Sequence, residues 1–198
     1  MNSSAPTPVD TSRRILVAGI GSPHGDDQVG WLTIDALRAT SEPTIGIEIR
    51  RVASPIDLLD LLGGRLDLLL ICDACRGLAA PGAVIRSPWR YANQQLAAPE
   101  SQRGQDGAPA CGLPKVMPTG STLVVPRDDF DLGCWSGTHD VSLPVTLQLA
   151  ERLGKLPPTV VVVGIEVDSV EPLAELSAPV AGAVPRAVEE LLRCMSTP

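Results

Sequence analysis

The sequence predicts an α/β fold: one domain of three layers, with a twisted, mostly parallel sheet between helices on both faces. Three observations predict it. Short apolar runs alternate with helix-patterned stretches, as in successive β–α–β units. The run "RLDLLLICDA" is apolar almost throughout, as expected of a strand covered on both faces. Hydrophobic residues make up 44% of the 198 residues and aromatics only 3%, so a real core has to be assembled from Val, Leu, Ile and Ala.

The elements follow in order. Residues 1–13, "MNSSAPTPVDTSR", are Ser/Thr/Pro-rich and read as a loose arm without the apolar region of a signal peptide. The domain is expected over 14–198. "RRILVAGIG" is a buried strand ending in glycines. "DQVGWLTIDALRAT" is a helix with Val29, Leu32, Ile34, Ala36 and Leu37 near one face. "TIGIEIRRV" is a strand in which Ile45, Ile47 and Ile49 alternate. "SPIDLLDLLGG" is a short helix with Ser54 as cap, Pro55 in the first position and Gly63–Gly64 at its end. After "RLDLLLICDA", "GAVIRS" is a short edge strand. Residues 92–131 show little periodicity and read as a long surface loop, with "STLVVP" ordered against the body. In "THDVSLPVTLQLAERLG", Thr138 or Asp140 caps a helix running to about Gly154, with Pro144 in its first turn. "PPTVVVVGIEV" is a central strand and "APVAGAVPRAVEELLRCM" a closing helix.

Charge and cysteine usage narrow the function. A formal net charge of −7 argues against nucleic acid or an anionic membrane surface as the main partner. No apolar run reaches the length of about 18 residues that suggests a membrane span. The cysteines at 72, 75, 111, 134 and 194 have no regular spacing, which fits free thiols in a reducing cytoplasm. A monomer is expected, because no exposed apolar helix demands a partner.

The turn "VAGIGSPHGDDQVGW" raises the functional question. As a dinucleotide fingerprint it fails: His24 stands where the third glycine of G-x-G-x-x-G belongs, and "RRVAS" offers no acidic residue for a ribose. As a structural feature, Asp26 and Asp27 precede a helix whose free N–H groups and dipole favour carboxylates. As a metal site, Asp27 after the first strand, Asp73 at the end of the third and His139 before a helix converge on one rim of the sheet. Two carboxylates and one imidazole leave coordination positions open. Cys72 and Cys75 form a C-x-x-C, but Cys72 lies in a strand rather than at a helix start, which disfavours redox work. There is no G-x-S-x-G for a serine nucleophile and no H-E-x-x-H for a self-sufficient zinc peptidase.

The succession "ILVAGIGSPHGDDQVG", "LLLICDA", "THDVSLPVTL" and "VVVVGIEVDSVEP" resembles the hydrogenase maturation endopeptidases over most of residues 14–195. The resemblance implies a peptidase that removes a C-terminal extension from the large-subunit precursor of a nickel–iron hydrogenase once nickel is in place. It assigns the catalytic and metal-binding positions to Asp27, Asp73 and His139, with nickel supplied by the precursor and that precursor as partner. It also implies that Gly164, Ile165, Ser169, Glu171 and Pro172 shape the cleft. The chain departs from the family in having Ser22 where Asn is usual, in a turn "SPHGDD" one residue shorter than in some members, which makes Asp27 rather than Asp26 a choice of alignment, in His24, an additional possible ligand, and in the length of the 92–131 loop. The competing reading is a non-catalytic, nickel-dependent checkpoint or chaperone on the same fold.

Overall fold

The computed structural model describes residues 13–40, 45–89, 122–124, 141–172 and 174–197. The sheet is formed by β1 (Ile15–Ile20), β2 (Ile47–Val52), β3 (Leu68–Cys75), β4 (Val84–Pro88), β5 (Thr122–Val124) and β6 (Thr159–Glu166). Their order across it is β2-β1-β3-β6-β4-β5. The helices are α1 (Val29–Thr40), α2 (Leu58–Leu61), α3 (Leu143–Arg152), α4 (Ala178–Ala181) and α5 (Val184–Ser196).

The two-residue period of the strands sorts the core into two layers. Ile15 and Val17 of β1, Leu68, Leu70 and Cys72 of β3, and Val163 and Ile165 of β6 pack with α1, α4 and α5. Leu16, Ala18 and Ile20, Leu69 and Ile71, and Val160 and Val162 pack on the other face, against Leu58 of α2 and Leu143, Leu147 and Ala150 of α3. Every residue of β1 and β3 is therefore buried. These are the three layers expected from the sequence.

Pairing is parallel between β1 and β2, β1 and β3, β3 and β6, and β4 and β5, whereas β4 runs antiparallel to β6. β1 and β2 are linked through α1 on one face, and β2 and β3 through α2 on the other. The order thus reverses at β1, and the crevice between the C-terminal ends of β1 and β3 is the topological switch point where ligands of open α/β sheets bind.

Several boundaries differ from the sequence reading. Ile45 is 81% exposed and precedes β2, because Gly46 turns the chain with φ +91° and passes its carbonyl to the Ile15 N–H. Leu32 and Ala36 are half-buried, and Gly30 and Thr33 share the inner face of α1 instead. The Val84–Pro88 strand is not an edge among the described residues: Thr122–Val124, from "STLVVP", lies outside it. The helix after the loop begins at Leu143, with Ser142 at its cap position and Pro144 in its first turn. Thr138 and Asp140 lie outside the described residues, as do 1–12 of the arm and most of 92–131. The closing helix is divided into α4 and α5. Pro185 sits in the first turn of α5, where its missing N–H costs nothing but where it cannot extend α4.

Gly30 fixes how closely α1 enters the switch point. A Cβ there would collide with the Ile20 carbonyl oxygen and lie 2.8 Å from that of Cys72, both backbone atoms of buried strands. Gly30→Ala is expected to cost about 1–3 kcal/mol in urea unfolding, as overpacking does. Gly63→Ala, with nothing within 4 Å of its added carbon, should change stability by less than about 0.5 kcal/mol.

Candidate active site

β1 ends in a glycine turn that passes through a 3-10 turn, Gly25–Gln28, directly into α1. Gly25 adopts φ +51° against the backbone of Ser169 and Glu171, and its carbonyl accepts the Gln28 side-chain N–H at 2.8 Å. This compact turn carries Asp26 and Asp27 inward, each almost wholly buried.

The adjacent aspartates have different surroundings. Asp26 Oδ1 accepts the Ser177 N–H at 2.7 Å and Oδ2 the Ser177 hydroxyl at 3.0 Å. Asp27 is 1% exposed, and neither of its carboxylate oxygens has a hydrogen-bond partner among the described residues. Neither aspartate caps α1 through a side-chain hydrogen bond; the cap position of the 3-10 turn is His24, also without one. The helix-capping account of the acidic pair therefore fails, although the dipole of α1 still favours negative charge at this end.

Asp73 lies near the C-terminal end of β3, in register with Gly164 of β6. It is buried, and its Oδ1 accepts the Ala74 N–H at 2.8 Å. Burial holds its carboxyl well above the usual carboxylate range, and the charge of Asp27 pushes it further; the Ala74 hydrogen bond only partly opposes this. Asp27 and Asp73 are thus brought together electrostatically at the switch point. Two hard carboxylates are the donor type that suits a divalent ion.

His139, the third expected ligand, lies outside the described residues. Among those described, no three His, Cys, Asp or Glu side chains form a metal-holding group, so His24 does not complete one with the two aspartates. His24 Nδ1 and Ser22 Oγ are buried without hydrogen-bond partners among the described residues. Ser169 of the expected cleft pattern, and Ala174 beyond it, border the glycine turn: the Ser169 carbonyl accepts the Asp26 N–H at 3.3 Å, and the Ala174 carbonyl accepts the Gly25 N–H at 3.1 Å.

Cys72 and Cys75 are both buried and point into opposite core layers, so they cannot join in a disulfide. Burial pushes the Cys72 thiol up to about 12, which removes its thiolate at neutral pH.

Ser177 and Glu166 were not singled out by sequence. Glu166, at the end of β6, accepts the N–H groups of Gly77 and Leu78, the latter at 3.2 Å, and the Cys75 thiol at 3.7 Å. Burial nonetheless raises its carboxyl above the ordinary value. It anchors the corner that leaves β3 just beyond Asp73. The signal for it was a lone acid ending an apolar strand, which local pattern alone could not separate from a surface charge.

A family model described as hydrogenase maturation protease (HycI) matches residues 120–194. Solved structures share the fold. The hydrogenase maturating endopeptidase HybD from E. coli is 20% identical with a TM-score of 0.58, over 92% of this chain and 91% of that one. The hydrogenase 2 maturation peptidase from a Thaumarchaeota archaeon is 24% identical with a TM-score of 0.54, over 92% and 98%. The [NiFe] hydrogenase maturation protease HybD from Thermococcus kodakarensis is 19% identical with a TM-score of 0.53, over 92% and 99%. No curated protein matches the chain in sequence. The resemblance read from the motifs thus recurs in the family match and in the fold.

The buried acid gives a pH test with a definite sign. Asp73 binds its proton more tightly folded than unfolded. The stability it contributes is complete below the unfolded value of about 3.9 and is lost as pH rises through the raised folded value. Asp73→Asn keeps the oxygen that accepts from Ala74 and removes this loss. The variant is expected to melt higher than the parent near neutral pH, with the difference closing in acid; a pH-independent difference would contradict the buried-acid account.

Proposed function

We propose that the chain is a hydrogenase maturation endopeptidase that removes the C-terminal extension from a nickel-loaded large-subunit precursor. The observation that carries the reading is Asp27: a buried carboxylate with both oxygens unpartnered among the described residues, beside Asp73, at the switch point of a sheet shared with proteins bearing that name. The family match over residues 120–194 supports the same reaction class.

In this reading Asp27, Asp73 and His139 recognise nickel that arrives in the precursor and so belongs to the substrate. When bound, a divalent ion supplies Lewis-acid polarisation of a carbonyl or a bound water. The remaining work falls to the chain. Burial makes Asp73 hold its proton more tightly, and that proton would have to leave for the residue to ligate the ion, because metal ligation requires the carboxylate. A carboxylate oxygen not engaged with the ion is then placed to accept the proton of the attacking water. The close approach of α1 to β1 and β3 leaves little room for bulk water around Asp27. Processing by a monomer in the cytoplasm belongs to the same reading, and the buried Cys72, Cys75 and Cys194, none in a disulfide, fit that compartment. No helix among the described residues is long and apolar enough to cross a membrane.

A non-catalytic nickel checkpoint on the same fold is the weaker reading, since the matched family and the similar structures are named for proteolysis. The purified chain can be incubated with its nickel-loaded precursor and the product's C-terminal mass read by mass spectrometry, which separates the two. Cleavage is expected with the parent and lowered by about 100-fold or more in Asp27→Ala and Asp73→Ala. Stable binding without cleavage would favour the checkpoint.

A further inference from the structure

We infer that Asp26 is a positioning residue: it latches the glycine turn to the segment after β6 and thereby holds Asp27 toward Asp73, without itself being a metal ligand. The inference rests on the reading of Asp27 and Asp73 as a cation-recognising pair.

Both oxygens of Asp26 are engaged by Ser177, one by its N–H and one by its hydroxyl. Turning this carboxylate toward a cation would break both bonds and strand the donors, a cost that Asp27, with no partners among the described residues, does not meet. The latch is reinforced from the backbone. Asp26 N–H reaches the Ser169 carbonyl and Gly25 N–H the Ala174 carbonyl. The same segment is tied to the other half of the site, because Arg76, three positions beyond Asp73, donates to the Asp168 carbonyl.

One stretch of chain therefore grips both corners that carry the paired carboxylates. Asp27 has no side-chain hydrogen bond among the described residues to orient it, so the direction in which it points is set by the backbone of its turn. Asp26–Ser177 is the side-chain contact through which that turn is held. Such outer contacts set the affinity of the ligands they orient.

The test is a calorimetric cadmium titration of the full chain and its variants, with melting temperatures recorded beside it. Asp27→Ala is expected to abolish binding. Asp26→Ala is expected to weaken it by about 10- to 100-fold, the usual consequence of losing an orienting contact. Ser177→Ala retains the backbone N–H bond and should weaken binding less, in the same direction. The Asp26→Ala/Ser177→Ala double variant should be no weaker than Asp26→Ala, because both remove one latch.

Complete loss in Asp26→Ala with an unchanged Ser177→Ala would make Asp26 a ligand and overturn the inference. Unchanged affinity in both would overturn it while leaving the Asp27 site intact, provided Asp27→Ala still abolishes binding. Cadmium binding that survives Asp27→Ala, or is absent from the parent, would overturn the site reading and the latch together. If Asp26→Ala fails to fold, Ser177→Ala and Asp26→Asn, which keeps one acceptor oxygen, carry the same comparison.

Discussion

The structure turns on a buried pair of carboxylates at the C-terminal ends of two neighbouring parallel strands. Asp27 has no hydrogen-bond partner for either oxygen among the described residues, and Asp73 holds its proton far more tightly than a carboxyl in water. Burying such groups without compensation is unfavourable, and a fold tolerates it where the missing partner is supplied from outside. In the proposed function, the geometry that creates the cost would also be the geometry that addresses a cation. The strand order reverses at β1, so the chain leaving it and the chain leaving β3 diverge to open a crevice.

The rest of the fold keeps that crevice in place. Two apolar layers clamp β1, β3 and β6 from both sides, which leaves their ends as rigid platforms. Gly30 allows the start of α1 to lie against the strand carbonyls, and a larger residue would push the acidic turn outward. Glu166 gathers the N–H groups of the corner after β3, while Ser177 gathers Asp26. Asp26 and Glu166 are thus engaged by hydrogen bonds on both oxygens, whereas Asp27 has none among the described residues and Asp73 accepts the Ala74 N–H on one oxygen.

Much of this was legible in the sequence. β1, β3 and β6 stand out because strands covered on both faces have to be apolar at nearly every position. The rule that ligands gather at strand ends singled out Asp27 and Asp73, and the structure buries both there. Other features were not legible, for identifiable reasons. The alternation of Ile45, Ile47 and Ile49 continued past the point where Gly46 turns the backbone. The antiparallel direction of β4 depends on how the chain returns to β6, which no local pattern encodes. The closing helix carried its own break signal in Gly182 and Pro185, outweighed by the apolar periodicity around it. Asp26 and Ser177 are 151 residues apart, so the contact that separates the roles of two adjacent aspartates has no local signature. The structure does not describe His139, so its place beside the pair rests on the family resemblance.

The most direct test of the central claim is a crystal of the protein soaked in cadmium and measured at a wavelength where cadmium scatters anomalously. The account predicts an anomalous peak between the carboxylates of Asp27 and Asp73, with Asp26 still bonded to Ser177. Well-occupied cadmium elsewhere, with Asp27 and Asp73 unligated, would contradict it.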